Sequence, residues 1–147
     1  MSKFPNFTLA EFIKSDTAKK RGIDNTPDFE EVEHLEELVE RFIQPLRNAY
    51  GKPIIISSGY RCEKLNRAVG GVSNSVHMKG YAADLQISGN IAKFNEFVEF
   101  VKNWVKNKGI LFDQLLIENS GKTYWLHVGF RSNNGAQRRQ VKTIVVK

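Results

Sequence analysis

The chain has 147 residues, 41% hydrophobic and 26% charged, which is enough to bury a core and ordinary for a globular protein. No apolar run reaches the ~18 residues of a transmembrane helix, and the first residues lack an apolar segment with a cleavage site, which argues against a membrane span and a secretory signal. The net charge of +6 indicates either an anionic partner or plain solubility, because the basic residues are scattered.

Cysteine usage limits the chemistry further. Cys62 is the single cysteine, which excludes an intrachain disulfide and a cysteine-based zinc cluster. We interpret Cys62 as a small buried hydrophobe rather than as a nucleophile. The protein is expected to be made in the cytoplasm and to be a monomer.

The first helix is predicted from a capping box. In FTLAEFIKSDTAKKRG, Thr8 stands at the N-cap with Glu11 three residues later, and Gly22 ends the helix or the loop after it.

The strongest helical pattern is TPDFEEVEHLEELVERFIQPLRNAYG, from Thr26 onward. Thr26 can cap it, Pro27 suits the first helical position, and Pro45 should kink the last turns. His34 lies among glutamates and is interpreted as a surface residue rather than a ligand. The residues predicted to share the buried face are Val32, Leu35, Val39, Phe42, Ile43 and Leu46.

The rest of the chain alternates strands and helices. The segments are KPIIISSGYR (strand), CEKLNRAV (short helix), GYAADLQI (strand), NIAKFNEFVEFVKNWVKNKG (helix stopped by Gly109), FDQLLIE and TYWLHVGF (a hairpin through NSGK), and KTIVV (an edge strand, residues 142–146). In the second amphipathic helix the inward residues are Phe94, Phe97, Val98, Val101 and Trp104. This order predicts one α+β domain, a mainly antiparallel sheet backed by helices. Its expected parts are helices at 8–50, a core at 52–130 and a C-terminal strand and tail at 131–147.

Three side chains could form a metal site. His77 precedes the strand that contains Asp84, and Gly80 lets the chain bend between them. His127 lies in another strand and shares a face with Trp125. Two histidines and one aspartate fill three positions of a tetrahedral zinc and leave the fourth open, as in catalytic sites. The alternative is that both histidines are ordinary core or rim residues and Asp84 is a cap or an ion-pair partner.

A hydrolytic zinc site also needs a general base. Glu118 is the candidate, because it lies on the same strand face as His127 if the hairpin closes over NSGK. The two would stand about four residues apart along the ladder, roughly 13 Å. Asp113 is the second choice, although it points to the opposite face. Glu118 could instead be a solvated strand end.

Substrate binding has one candidate at this stage. Arg61 follows SSGY at a strand end, where its guanidinium could hold a carboxylate through two hydrogen bonds. The alternative is a surface arginine.

Taken together, SSGYR, SVHMKGYAAD and WLHVG resemble motifs of the zinc D-alanyl-D-alanine peptidase family, over about Lys52 to Phe130. The family includes D,D-carboxypeptidases, vancomycin-resistance dipeptidases and phage L-alanyl-D-glutamate endopeptidases, and the hedgehog domain shares its fold. The resemblance implies that His77, Asp84 and His127 bind zinc. It also implies that Arg61 has a catalytic role in binding or polarising the substrate, and that Ser75, beside the first ligand, contacts the substrate or supports that ligand. Many members carry the catalytic acid three residues before the second histidine, where this chain has Tyr124. Glu118 instead matches the acid of the hedgehog-like FD…E strand and of relatives that place the base at that strand end.

The function expected from these features is zinc-dependent hydrolysis of a bond in peptidoglycan stem peptides, with Trp125 as an apolar wall of the cleft. An endolysin-like endopeptidase, released to the cell wall by a phage or a holin, is favoured over a D,D-carboxypeptidase. The alternative is a non-catalytic zinc-containing binding module of the same fold. Nucleic-acid binding has no motif to support it beyond the charge.

Overall fold

The helices begin and end where the sequence supplies caps. The computed structural model describes residues 3–145, in which the helices are α1 (Leu9–Ile13), α2 (Asp16–Arg21), α3 (Phe29–Leu38), α4 (Gln44–Tyr50), α5 (Glu63–Ala68) and α6 (Ile91–Lys108). Glu11 accepts a hydrogen bond from the Thr8 N–H at 2.9 Å, which confirms the capping box. Gly22 and Gly109 adopt left-handed conformations at the ends of α2 and α6 and stop both helices as predicted.

The first predicted helix is two helices, because Ser15 interrupts it. Ser15 is extended, and its hydroxyl accepts a hydrogen bond from the Ala18 N–H at 3.1 Å, which starts α2 as a new helix. A serine side chain competes with the helical backbone for hydrogen bonds and therefore favours an N-cap over a helix interior.

The cap of the long helix lies two residues later than predicted. Asp28, not Thr26, is the N-cap, and it forms a reciprocal capping box with Glu31. The Thr26 hydroxyl donates to Asp24 at 2.6 Å instead. Pro27 therefore precedes the cap rather than occupying the first helical position.

Pro45 changes the hydrogen-bond register of this helix. Between α3 and α4 the backbone forms a π-helical turn, Val39–Ile43, and the Gln44 N–H donates to the Val39 carbonyl. Proline lacks an N–H, and its ring clashes with the carbonyl four residues before it. A wider turn of the backbone absorbs this conflict, so the predicted kink takes the form of a π turn.

The predicted antiparallel sheet is confirmed, with five strands in the order β1-β2-β4-β3-β5. The strands are β1 (Ile55–Ser58), β2 (Ala82–Gln86), β3 (Gln114–Ser120), β4 (Thr123–Gly129) and β5 (Gln140–Val145). β3 and β4 form the predicted hairpin, and β5 is the predicted edge strand, which pairs in parallel with β3. Val146, the last residue of the predicted KTIVV strand, lies outside the described residues.

The two faces of the sheet differ in what they contact. One face packs on the helices, with Ala83, Leu85, Leu126 and Val128 buried against residues of α3, the π turn, α4 and α6. The inward residues predicted for α6 are all buried in this core, and those of the long helix are too, apart from the half-buried Val32. The other face carries the polar residues of the candidate site. Among the described residues, no helix is long and apolar enough to cross a membrane.

Candidate metal centre

The three predicted metal ligands converge from a turn and two adjacent strands. His77 lies in a 3₁₀ turn, Val76–Lys79, that leads into β2, while Asp84 and His127 are directly opposite each other on β2 and β4. His77 Nε2 is 3.2 Å from His127 Nδ1 and 3.3 Å from Asp84 Oδ1, and His127 Nδ1 is 2.9 Å from the same oxygen. All three side chains are buried. These atoms form a compact group that could hold a metal ion.

The spacing of the three atoms matches one face of a zinc tetrahedron. Ligand atoms about 2.0–2.1 Å from Zn²⁺ in tetrahedral geometry stand about 3.3 Å from one another. The observed edges of 2.9, 3.2 and 3.3 Å are close to that value. Two imidazoles and a carboxylate are also a donor set that zinc accepts, and three ligands leave a fourth position open. The residues therefore fit the ion.

The backbone sets the tautomer of His77. Its Nδ1–H donates to the Gly59 carbonyl at 2.6 Å, because a carbonyl can only accept. In the neutral ring Nε2 then carries the lone pair, and Nε2 is the atom that points into the group. The Ser75 hydroxyl accepts from the His77 N–H at 3.2 Å and fixes the backbone at the same point. This pattern of an outer partner that orients a histidine is typical of metal ligands.

Burial and charge favour the protonation states that a metal requires. Burial lowers the pKa of His77, because desolvation penalises the imidazolium, although the Asp84 carboxylate acts in the opposite sense. Burial alone would raise the pKa of Asp84, but His77 and His127 together lower it below its usual value. A neutral imidazole and an ionised carboxylate are the binding forms of these ligands.

Glu118 lies closer to the group than predicted. The hairpin turn has two residues, with Ser120 paired to Thr123, so Glu118 is opposite Trp125 and two residues from the level of His127. The expected offset of four residues and roughly 13 Å is therefore wrong, because the tight turn sets the register. Glu118 Oε1 lies 3.9 Å from His127 Nδ1 and accepts a hydrogen bond from Trp125 Nε1 at 3.2 Å. Burial raises the pKa of Glu118, with His127 opposing.

The side chains of Asp113 and Tyr124, the two other positions considered for the general base, make contacts away from the metal group. Asp113 is buried and binds the Arg138 guanidinium through both carboxylate oxygens, at 2.8 and 2.9 Å. Tyr124 points to the helical face, where its ring centroid lies 4.9 Å from that of Phe94. Among the carboxylates of the described residues that were candidates for the base, Glu118 is the one that faces the metal group.

Arg61 lies beside the group and is partly buried. Its Nη2 donates to the Ser75 hydroxyl at 3.4 Å, while its buried Nε has no hydrogen-bond partner among the described residues. Burial lowers the pKa of Arg61, and the nearby Asp84 and Glu118 act against that shift. Since a buried guanidinium nitrogen without a partner is costly, this arginine retains hydrogen-bonding capacity for a ligand.

The loop that carries Arg61 is held by Asn25, a residue that no sequence pattern singled out. The side chain of buried Asn25 donates to the Tyr60 carbonyl at 3.0 Å and accepts from the Cys62 N–H at 2.8 Å. These are the two backbone neighbours of Arg61. Cys62 itself is half-buried, packs against the core and caps α5, so it is less buried than predicted.

His34 is also more than a surface residue. Among the described residues, the metal group does not include His34; its side chain is 20% exposed and contacts the His77 turn. Its Nδ1–H donates to the Lys79 carbonyl at 2.6 Å, and its ring stacks on Tyr81. The surrounding glutamates obscured this role, because the partners of His34 lie about 45 residues away in sequence.

Comparison with known proteins identifies the family. The family model for peptidase M15 matches residues 5–117. The chain belongs to the peptidase M15 family. The resemblance to zinc D-alanyl-D-alanine peptidases is thereby confirmed. The match includes four of the predicted site residues and ends before the other three: Arg61, Ser75, His77 and Asp84 lie inside it, and Glu118, Trp125 and His127 lie beyond it.

One curated relative of this M15 protein is the zinc D-Ala-D-Ala carboxypeptidase of Streptomyces albus G. The two chains are 52% identical over 44 residues, which is 29% of this chain and 17% of the relative. The M15 protein therefore aligns with less than a fifth of the length of that relative. The relative's name contains the same metal that the donor set of His77, Asp84 and His127 fits.

Proposed function

We propose that this M15 protein is a zinc-dependent peptidase that hydrolyses a peptide bond in the stem peptides of bacterial peptidoglycan. The observation that carries the proposal is the convergence of His77, Asp84 and His127 within 3.3 Å of one another, with Glu118 3.9 Å from His127. The name of the relative, a zinc D-Ala-D-Ala carboxypeptidase, supports both the metal and the substrate class.

The residues divide the chemistry among them. His77, Asp84 and His127 would hold a zinc ion, which when bound would supply a Lewis acid able to polarise a carbonyl and lower the pKa of water. Glu118 takes up a proton from the attacking water at its carboxylate and delivers it to the leaving amine as the peptide bond breaks, while the water's oxygen stays on the carbonyl carbon. Trp125 holds Glu118 through its indole N–H and forms an apolar wall of the cleft. Arg61, steadied by Ser75, pairs with a carboxylate of the substrate.

The finer proposal is an endolysin-like endopeptidase that acts on the cell wall after phage- or holin-mediated release. A D,D-carboxypeptidase, the activity in the relative's name, is the competing specificity. We further propose one domain over residues 1–147 that acts as a monomer.

The test is mass spectrometry of purified peptidoglycan incubated with the zinc-loaded protein. Wild type should release new free termini, and their masses identify the bond. Glu118→Ala should retain zinc and lose about 100-fold or more of the activity, since general acid–base catalysis contributes on that order. Glu99→Ala is the matched control, because Glu99 is an exposed glutamate of α6 paired with Lys102. Full activity of Glu118→Ala would move the base role to another group.

The second candidate is a binding module of the same fold. It would bind zinc and stem peptides without cutting them, and Glu118→Ala would have no effect. The partly buried Glu118 and its raised pKa favour the enzyme, because a base works best when its pKa approaches the working pH. Zinc bound with no cleavage by wild type would favour the binding module.

A further inference from the structure

Helix α3 contacts both segments that carry the proposed metal-binding histidines. Glu31, His34 and Glu37 follow one another at intervals of three residues, which places them along one side of the helix. Glu37 binds Arg131, just after β4, through two hydrogen bonds of 2.9 and 3.2 Å. Glu31 and His34 contact the end of the turn that carries His77. α3 therefore joins two parts of the chain that meet at the metal group.

The His77 turn needs such support because it is short. Val76–Lys79 is a single 3₁₀ turn of four residues, and the loop before it is largely exposed. Hydrogen bonds in 3₁₀ turns have poorer geometry than those in α-helices, and the last carbonyls of any helix lack partners within it. The Lys79 carbonyl is one of these.

His34 supplies the missing donor. Its Nδ1–H donates to the Lys79 carbonyl at 2.6 Å, and the neutral ring then accepts from the Tyr81 hydroxyl at Nε2, at 3.1 Å. The His34 and Tyr81 rings stack with centroids 4.1 Å apart and planes at 21°. Between these two contacts lies Gly80, packed so closely that a Cβ there would stand 2.5 Å from the Glu31 carbonyl oxygen. The turn is thus fixed to α3 on both sides of Gly80.

We propose that His34 is a positioning residue for the metal group: by holding the Lys79 carbonyl and the Tyr81 ring it fixes the orientation of the turn that presents His77. The proposal rests on the proposed function in that it takes His77 as a zinc ligand. Among the described residues, the metal group is His77, Asp84 and His127 and does not include His34. It acts through the Val76–Lys79 turn.

The first measurement is the zinc affinity of His34 variants, by competition with a chromophoric chelator. His34→Ala should bind zinc about tenfold more weakly, at the low end of the losses seen when an outer partner of a ligand is removed. His34→Asn should recover most of the affinity, because its side-chain amide nitrogen can occupy the position of Nδ1 and donate to Lys79. His34→Leu, of similar bulk without a donor, should not recover it.

Tyr50→Ala is the control for general loss of stability. Tyr50 packs on Phe97 and Phe100 of α6, with ring centroids 5.0 and 5.3 Å away, on the helical side of the sheet. The Tyr50→Ala variant should have a lower melting temperature than wild type but the same zinc affinity. A zinc affinity of His34→Ala equal to that of wild type would overturn the proposal, as would equal losses in His34→Ala and Tyr50→Ala. Failure of His34→Asn to recover affinity would overturn the hydrogen bond as the cause.

A second readout needs no metal. The amides of Gly80 and Tyr81 donate to the His77 and Val76 carbonyls within the turn, so their hydrogen exchange reports its opening. In His34→Ala, exchange at these two amides should accelerate, while the amides of β2 and β4 remain protected. Unchanged exchange would overturn the proposal whether or not the protein cleaves peptidoglycan. Wild type that binds no zinc, with exchange altered as expected, would instead count against the proposed function.

Discussion

At the scale of residues, the proposed ligands differ in how they are held. Asp84 and His127 are opposite each other in a ladder of backbone hydrogen bonds, so the sheet fixes their separation. His77 comes from a turn and depends on side contacts with Gly59 and Ser75. Removal of any one ligand leaves two, which is fewer than catalytic zinc sites use.

We therefore expect His77→Ala and His127→Ala each to lose most of the bound zinc, measured as metal content after dialysis. Gln86→Ala is the control, because Gln86 lies on the same face of β2 two residues from Asp84 but outside the metal group. Unchanged zinc in either histidine variant would exclude this group as the metal site.

Arg61 should act on substrate rather than on the metal. Hydrogen bonds to charged groups contribute about 1.5–3 kcal/mol, so Arg61→Ala should raise KM about 10- to 100-fold for stem peptides with a free carboxylate near the cut bond. Peptides with that carboxylate amidated should be affected much less, and zinc content should not change. Equal losses on both kinds of peptide would indicate a structural role for Arg61.

The residue types of the site were predictable, but not all their partners were. His77, Asp84 and His127 were selected from motif spacing, and the structure brings them together. Asp113 was the second choice for the base, but it pairs with Arg138, 25 residues later in the chain. Such pairs form between distant segments, and no local pattern in the chain encodes them.

At the scale of elements, the N-terminal helices support the loops of the site. Asn25, between α2 and α3, binds the backbone on both sides of Arg61, and His34 of α3 binds the turn of His77. A side chain that makes two or more such bonds across the fold reduces the freedom of a loop that has little regular structure of its own. These elements therefore do more than cover the core.

Substitution of Gly80 would test how closely α3 approaches the Val76–Lys79 turn. Gly80 and Gly70 both have positive φ, +79° and +74°, but a Cβ at Gly80 would meet the Glu31 carbonyl at 2.5 Å and one at Gly70 meets nothing within 4 Å. Gly70→Ala should cost about 1–2 kcal/mol of unfolding free energy, from backbone conformation alone. Gly80→Ala should cost about 1–3 kcal/mol more because of overpacking. Denaturant titration measures both, and equal costs would contradict the close contact.

Helix boundaries matched the prediction where one capping residue stood at each end of the apolar pattern and no second capping residue lay nearby. α6 runs from the Asn90 cap to Gly109 as predicted, since its caps and its apolar face agree. The long helix departed from prediction at its start, where Thr26 and Asp28 competed for the cap, and at Pro45 the local signal predicted a kink without specifying the π turn. Both outcomes depend on which of several nearby hydrogen bonds forms, which composition and periodicity leave undecided.

At the scale of the whole molecule, an ion pair between Arg138 and Asp113 positions the segment that joins β4 to β5. The Arg138 backbone and guanidinium both donate to buried Asp113, just before the N-terminal end of β3, and the Gln140 N–H donates to the Asp113 carbonyl as β5 begins. This contact sets the parallel register of β5 against β3.

The stability of the fold should therefore depend on pH through Asp113. Burial alone would raise the pKa of Asp113, but hydrogen bonds from Arg138 together lower it below its usual value. A carboxyl with a depressed pKa in the folded state stabilises the protein above its unfolded pKa of about 3.9, and this contribution is lost as the pH falls. Asp113→Asn should be less stable than wild type at neutral pH, and the difference should shrink on acidification. A difference that stays constant with pH would exclude this linkage.

The sequence by itself determined the class of fold, the principal helices and strands, and the residue types of the metal group. These follow from periodicity, capping and a dense motif, all of which act over a few residues. The tertiary structure decided the rest: the two-residue turn that brings Glu118 within 3.9 Å of His127, the pairing that engages Asp113, and the contact of His34 with the His77 turn. These depend on strand register and on contacts between distant segments, whose free energy is set only once the chain has packed.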